Sequence, residues 1–439
     1  MARTRGIRAG WLVLSPADIR PDHALVLEED RVVDVVPNLM VAADRGFLDA
    51  RDAIVAPGFI NAHMHMYGML SHGMEFTTGA RSLKLILEEF WWPRIEDRLD
   101  HDLIRLATEA ACVDLLRGGV TTFSDILEAP NALPGCLAVE AEVVERAGLR
   151  AVLSFEATER VTPDNGRAGL RENADFIRRQ KRRGSRLVQG MMCVHTTFTC
   201  SLDFLREARG MARELGGSIQ LHLSESGDES RASLARYGKL PVEVYEEIGF
   251  LDAGVLASQC VVMDPAEIAL LVRRGVRVAH QPVSNCSIGG GIAPVPDMLA
   301  AGIPIGLGTD GEVNDMFEVM RIAHLIHKGH RRDPAVMPPA AVLAMATEMG
   351  ARALGLADAG VLRPGAHADL VVINADTPTP LNHRNLLEQI VLYRKASDLR
   401  AVMIAGQWVW RDGKALNLDE QRITRDLREV APLFWEERE

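Results

Sequence analysis

The run His63-Met64-His65-Met66 follows directly on the apolar stretch Ile54-Val55-Ala56-Pro57-Gly58-Phe59-Ile60-Asn61 and has the makings of a metal site. An apolar run punctuated by a Pro-Gly turn predicts a short buried strand, and residues two apart on a strand face the same way. Neutral imidazole is the commonest protein ligand for a divalent transition metal, so this pair supplies half of a four-ligand site. A lone HxH is a weak signal in a chain with 13 histidines, and other segments must bring the missing ligands.

Those ligands need elements to position them. Between about residues 55 and 360, short β-branched or apolar runs alternate with longer amphipathic segments, which predicts βα units around a parallel sheet. Strands are expected at 56–65, 120–125, 150–155, 187–195, 218–224, 254–261, 277–281 and 304–310, with helices such as 102–117, 202–215 and 265–273 between them. Eight units imply an α/β fold with a closed (β/α)8 TIM-like barrel over 56–360. Residues 1–55 and 361–439 do not share the rhythm. Both carry short strand-like runs, and a small β-sandwich domain built from the two termini is expected, with a charged helix at the C-terminal end.

Active residues of such barrels lie at the C-terminal ends of the strands. The expected strands end in His63 and His65, His195, His222 followed by Glu225, Gln259, His280 and Asp310. A metal held by His63, His65, His222 and Asp310 would have three imidazoles and one carboxylate, which suits Zn²⁺ and, as an alternative, Fe²⁺. Such an ion makes bound water acidic near neutral pH, and Asp310 could take its proton. Glu225, three residues beyond His222, is the candidate general acid, because burial in an apolar pocket would raise its pKa and let it protonate a substrate ring nitrogen. Trp91 and Trp92 are candidates to line the mouth and stack on a planar ring, with core packing as the alternative. His324, His327 and His330, at i, i+3, i+6 on one helix, are read as structural or solvated.

Composition narrows the partners. A net charge of −11 over 439 residues disfavours nucleic acid and anionic membrane surfaces, and no basic patch offsets it. No apolar window is long enough to span a bilayer, and the stretch after Met1 is too short for a secretory signal. Six scattered cysteines without a CxxC pair point to a reducing compartment, so a cytoplasmic location is expected.

The segments PGFINAHMH, LHLSES, AHQPVSNCSIGGGIAPV and GLGTDG together resemble the amidohydrolase superfamily, in the branch of cytosine and guanine deaminases, S-adenosylhomocysteine deaminases and triazine chlorohydrolases. The resemblance spans nearly the whole chain, including GVLRPGAHADLVVIN. Glu89-Phe90-Trp91-Trp92 and the stretch after Asp310-Gly311 look closest to SsnA-type aminohydrolases. It implies metal ligation by His63, His65, His222 and Asp310, proton transfer by Glu225 and substrate contact by His195, with a homo-oligomer as the family expectation. Other branches hold two metals bridged by a carboxylated lysine, but none of the six lysines lies near His195, which favours one metal.

The chain departs from that branch where it reads Ala257-Ser258-Gln259-Cys260, because the branch usually has a histidine in place of Gln259. An amide can hydrogen-bond water or substrate but cannot accept a proton, so Gln259 changes what that position can do. Three explanations stand: a substrate that does not need the imidazole, His280 reaching in as a substrate contact, or a weakened enzyme. The leading expectation is hydrolytic deamination of a planar nitrogen heterocycle. The alternatives are dechlorination or dealkylamination of a triazine, opening of a cyclic amide, and a ligand-binding protein with little catalysis.

Overall fold

The computed structural model describes residues 5–41, 46–75 and 79–436, so Met1–Thr4, on which part of the secretory-signal reading rests, lie outside the described residues. The chain opens with five strands, β1 (Gly6–Ser15), β2 (Asp18–Pro21), β3 (His23–Glu28), β4 (Arg31–Pro37) and β5 (Phe47–Pro57). The parallel strands follow: β6 (Phe59–Met64), β7 (Val120–Leu127), β8 (Arg150–Phe155), β9 (Val188–Gly190), β10 (Met192–Cys193), β11 (Ile219–Leu223), β12 (Val255–Gln259), β13 (Arg277–His280) and β14 (Ile305–Leu307). The chain returns through β15 (Leu370–Asn374), β16 (Leu399–Ile404), β17 (Gln407–Arg411) and β18 (Lys414–Ala415).

Strands β6 to β9 form one parallel sheet and β10 to β14 another, each in sequence order. Single bridges join the two at both seams, Ala157 to Val194 and Met64 to Asp310, which gives the arrangement of a TIM-like barrel. The second seam brings Asp310 beside the histidine strand, with the Thr309 and Asp310 amides both donating to the His63 carbonyl at 2.9 and 3.1 Å. Gly308 is required there: a Cβ would come within 2.8 Å of the His63 carbonyl oxygen and 2.9 Å of Gln281 Nε2.

The helices between strands have the sequence signals that start and stop them. Asp100 Oδ1 accepts from the Asp102 and Leu103 amides to begin His101–Arg117, and Gly118 follows its last turn. Asp264 and Glu267 form a capping box at Pro265–Arg274, which Gly275 closes at φ +69°.

The terminal strands make one nine-stranded sheet, in which β5 pairs with β15 in the register Pro57 to Leu370. This sheet is built from both ends of the chain, and the sandwich layering expected for it goes beyond that pairing. A buried ion pair ties it to the barrel: Arg150 Nε on β8 donates to Asp369 Oδ2 at 2.9 Å, and the Ala405 amide donates to Asp369 Oδ1 at 2.7 Å. Among the described residues no helix is long and apolar enough to cross a membrane, and none of the six cysteines is paired.

Candidate metal centre and active site

Strands β6 and β11 deliver three buried imidazoles to one point. The candidate ligand nitrogens of His63, His65 and His222 all lie within 4.8 Å of one another. Their other ring nitrogens are fixed from behind. His65 Nδ1 donates to the Ile126 carbonyl at 2.7 Å, so in the neutral ring Nε2 carries the lone pair. His63 Nδ1 lies 2.8 Å from Ser258 Oγ, and His63 Nε2 is buried without a partner among the described residues. His222 Nδ1 lies 2.7 Å from Glu156 Oε1. Such partners behind metal-binding imidazoles hold ring orientation and raise ligand basicity.

Asp310 stands beside these rings, with Oδ1 3.3 Å from His65 Nε2. A lone pair and a carboxylate oxygen facing each other at that distance call for a cation between them, as does the orphaned His63 Nε2. The residues therefore fit one divalent ion, and three imidazoles with one carboxylate suit zinc. Electrostatics agree in direction. Although burial opposes its charge, Asp310 is held at about 2 by the His65, His63 and His222 rings and the Gln259 hydrogen bond. Burial likewise opposes the charge on His222, but Glu156 outweighs it and, with Glu225 and Asp310, lifts that imidazole to about 10. These carboxylates favour positive charge at this point.

The pocket facing the cluster is lined by His65, His195, His222, Glu225, Asp310 and Trp92, among others. Glu225 is partly buried, and burial first, then the carboxylates of Asp310, Glu229 and Glu156, push it to about 8 against the pull of His222. His195 is lowered to about 4 by burial, so its ring is neutral at physiological pH. It sits between His222, at a ring separation of 5.2 Å, and the Trp92 ring at 6.5 Å.

Gln259 and His280 are not brought into the pocket lining. Gln259 Nε2 donates to Asp310 Oδ2 at 2.6 Å, beside Ser284 Oγ at 3.0 Å, so the amide acts on the carboxylate. His280 points out of the barrel, with Nε2 3.1 Å from Nε2 of His327 on the helix Met316–Arg331. Strand alternation explains this, since the next side chain, Gln281, faces the barrel and accepts from the Gln259 amide at 3.0 Å.

Several residues at the site were not anticipated from the sequence. Glu156 and Glu128 stand one residue past the ends of β8 and β7; reading one position beyond the expected strand 150–155 would have found Glu156, whereas β7 runs two residues past the expected 120–125 and leaves Glu128 three positions beyond it. Ser258 and Ser284 carry no such signal. Nor does the backbone: Ser224, Gln259, Cys260 and Asp310 all have positive φ, at +50°, +76°, +48° and +61°. Non-glycine residues rarely adopt this region, at a cost of about 1–3 kcal/mol each, and here they cluster where β11, β12 and β14 meet the metal centre.

Residues 54–409 match the family described as the Amidohydrolase family. The chain belongs to it. The match spans well over half of the chain and contains every proposed ligand of this amidohydrolase. It is 32% identical over 433 residues to a 5'-deoxyadenosine deaminase of Methanopyrus kandleri, covering 96% of this chain and 97% of the relative. It is also 32% identical to a 5-methylthioadenosine/S-adenosylhomocysteine deaminase of Pelotomaculum thermopropionicum over 425 residues, 95% of each chain. Among solved structures, an adenosine deaminase from Xanthomonas campestris with bound zinc superposes with a TM-score of 0.88 at 25% identity, covering 98% of both chains. The zinc complex of atrazine chlorohydrolase TrzN from Arthrobacter aurescens TC1 has a TM-score of 0.85 at 20% identity, with 97% of this chain and 100% of that one covered, which is a likeness of fold.

Proposed function

We propose that this amidohydrolase hydrolytically deaminates a purine nucleoside of the adenosine type. The observation that carries the reading is the convergence of His63, His65, His222 and Asp310 at one end of a pocket that also holds Glu225 and His195. Three of the relatives and neighbours above are named as deaminases of adenosine-type compounds, which supports the substrate class. A divalent ion held by the three imidazoles and Asp310, zinc by preference, supplies Lewis acidity that makes an attacking water available at neutral pH.

The chain's own groups do the rest. Water adds to the ring carbon that bears the amino group, and Glu225, protonated at neutral pH, gives its proton to the adjacent ring nitrogen. The first proton of the water passes through Asp310 to Glu225 and restores the acid, and the second, from the hydroxyl now on the ring carbon, passes by the same carboxylates to the amino nitrogen. The carbon–nitrogen bond breaks, and ammonia leaves with the oxo-ring product. His195, neutral, hydrogen-bonds the ring, and Trp92 closes the pocket beside it. Gln259 and Ser284 position Asp310 through its Oδ2.

The test is ammonia release by zinc-loaded protein from adenosine, 5'-deoxyadenosine, 5'-methylthioadenosine, and a panel of pyrimidines, pterins and triazines. Turnover of the purine nucleosides, abolished by a chelator and restored by Zn²⁺, is expected. Chloride or alkylamine release from a triazine, or tight binding without turnover, would overturn the reading.

A further inference from the structure

The expected strand 120–125 closes on Asp125, a carboxylate to which neither the metal centre nor the deamination chemistry gives a role. Its side chain points away from the barrel interior. Ser124, one residue earlier on β7, reaches across that interior and donates to Gln220 Oε1 of β11 at 3.3 Å, so strand alternation turns Asp125 towards the surrounding helices. Asp125 is fully buried, and its Oδ1 accepts from the Met66 amide at 2.6 Å. That amide opens the turn Met66–Ser71, directly after the ligand His65. The next residue of β7, Ile126, receives the His65 ring on its carbonyl at 2.7 Å. Two consecutive residues of one strand therefore hold His65, one by its ring and the other by the backbone that leaves it.

Behind Asp125 stands Glu140 of the helix Cys136–Ala147, 1% exposed. The two carboxyl groups meet in hydrogen-bonding contact, and apart from each other Asp125 Oδ2 and both Glu140 oxygens find no donor among the described residues. The charged groups nearby are already taken. Arg146 and Arg422 both pair with Glu109, and Glu172 accepts from the Gly135 and Leu137 amides at 2.8 and 3.1 Å. Two facing acceptors with no cation between them are stable only if one carries a proton, since buried carboxyls in contact cannot both ionise. The Met66 amide favours the charged form of Asp125, which leaves the proton to Glu140. Burial acts in the same sense, raising Asp125 to about 7 against the Met66 and Glu140 hydrogen bonds and, with the charge of Asp125, lifting Glu140 well above the usual carboxyl range.

We propose that Asp125 and Glu140 are positioning residues for the metal centre: an acid–carboxylate pair sharing one proton, which clamps the backbone leaving His65 and so keeps that imidazole where it can bind the ion. The inference rests on the metal centre and extends it outwards to a helix on the barrel's surface layer. The same turn carries Tyr67 to the pocket wall, so the clamp also sets one side of the pocket.

The experiment measures zinc affinity by chelator competition in four full-length proteins, the wild type, Glu140→Gln, Asp125→Asn and Glu140→Met, with circular dichroism as the check on folding. An amide at either position replaces the shared proton with an N–H and leaves one carboxylate, so both amide variants should bind zinc as the wild type does. Glu140→Met keeps the length of the side chain without a donor, and its zinc affinity should fall about 10–100-fold, with turnover per bound zinc retained. The infrared difference spectrum between wild type and Glu140→Gln at neutral pH should show one protonated carboxyl that the variant lacks. Unchanged zinc affinity in a folded Glu140→Met, a loss in the amide variants as large as in the methionine variant, or no protonated carboxyl in the wild type would overturn the pair. The infrared comparison decides even if Glu140→Met does not fold. Any of these results in a wild type that binds zinc and releases ammonia sinks the pair alone, whereas a wild type that binds no zinc removes the metal centre with it.

Discussion

At the scale of single residues, the chemistry depends on a few side chains whose partners separate their roles. Glu225 lines the pocket without being placed as a ligand, so Glu225→Gln should lower kcat by about 10²–10⁴-fold with zinc content unchanged, as metal analysis beside ammonia assays would reveal. Because Glu225 must be protonated to donate, kcat/KM should decline on the alkaline side, at or below about pH 8, since a bound cation nearby pulls the group down from that value. Gln259 acts through Asp310, and Gln259→Leu should weaken zinc affinity about 10–100-fold in a chelator competition while leaving the fold intact. A loss of turnover with unaltered zinc affinity would mean that the amide contacts substrate instead. Most of this was legible in the sequence, because His63, His65, His222 and Asp310 each end an apolar run. Glu156 was hidden by one residue of strand length and Glu128 by three, and Ser258 and Ser284 by being ordinary serines.

At the scale of elements, the barrel strands were readable as alternating runs, but the direction of each side chain at a strand end was not. His280 ends β13 as expected and still faces outward, because the backbone alternates and Gln281 takes the inward place. Gln259 and Asp310 have positive φ, which a glutamine does not announce and an aspartate announces only weakly. The outward His280 meets His327, and the pair makes the docking of Met316–Arg331 sensitive to acid. Burial pulls His280 down, and burial with neighbouring His330 and Arg331 pulls His327 to about 4, whereas an unfolded histidine titrates near 6.5. Between those values the unfolded chain takes up a proton that the folded one refuses. Stability should therefore be complete above about pH 6.5 and fall as pH drops towards 4, by up to roughly 3 kcal/mol for His327 alone. Thermal midpoints across that range should show a shallower slope in His327→Gln than in the wild type.

At the scale of the whole molecule, the terminal sheet and the barrel are tied by Arg150 and Asp369, both nearly inaccessible. Asp369→Ala would strand a buried guanidinium and an amide at Ala405, and should cost about 3–5 kcal/mol in a chemical unfolding experiment. A change below about 1 kcal/mol would show that the junction does not depend on this pair. That both ends of the chain contribute strands was legible in their β-branched runs, but the register of β5 on β15 was not, since it is set by packing that spans over 300 residues of sequence. Every functional statement rests on one divalent ion joining β6, β11 and the segment after β14. The most direct measurement is metal content and adenosine deamination on the same samples of wild type and His63→Ala. About one equivalent of zinc per chain with ammonia release in the wild type, and loss of both in the variant, is the predicted result; equal metal content and equal turnover in the two proteins would contradict it.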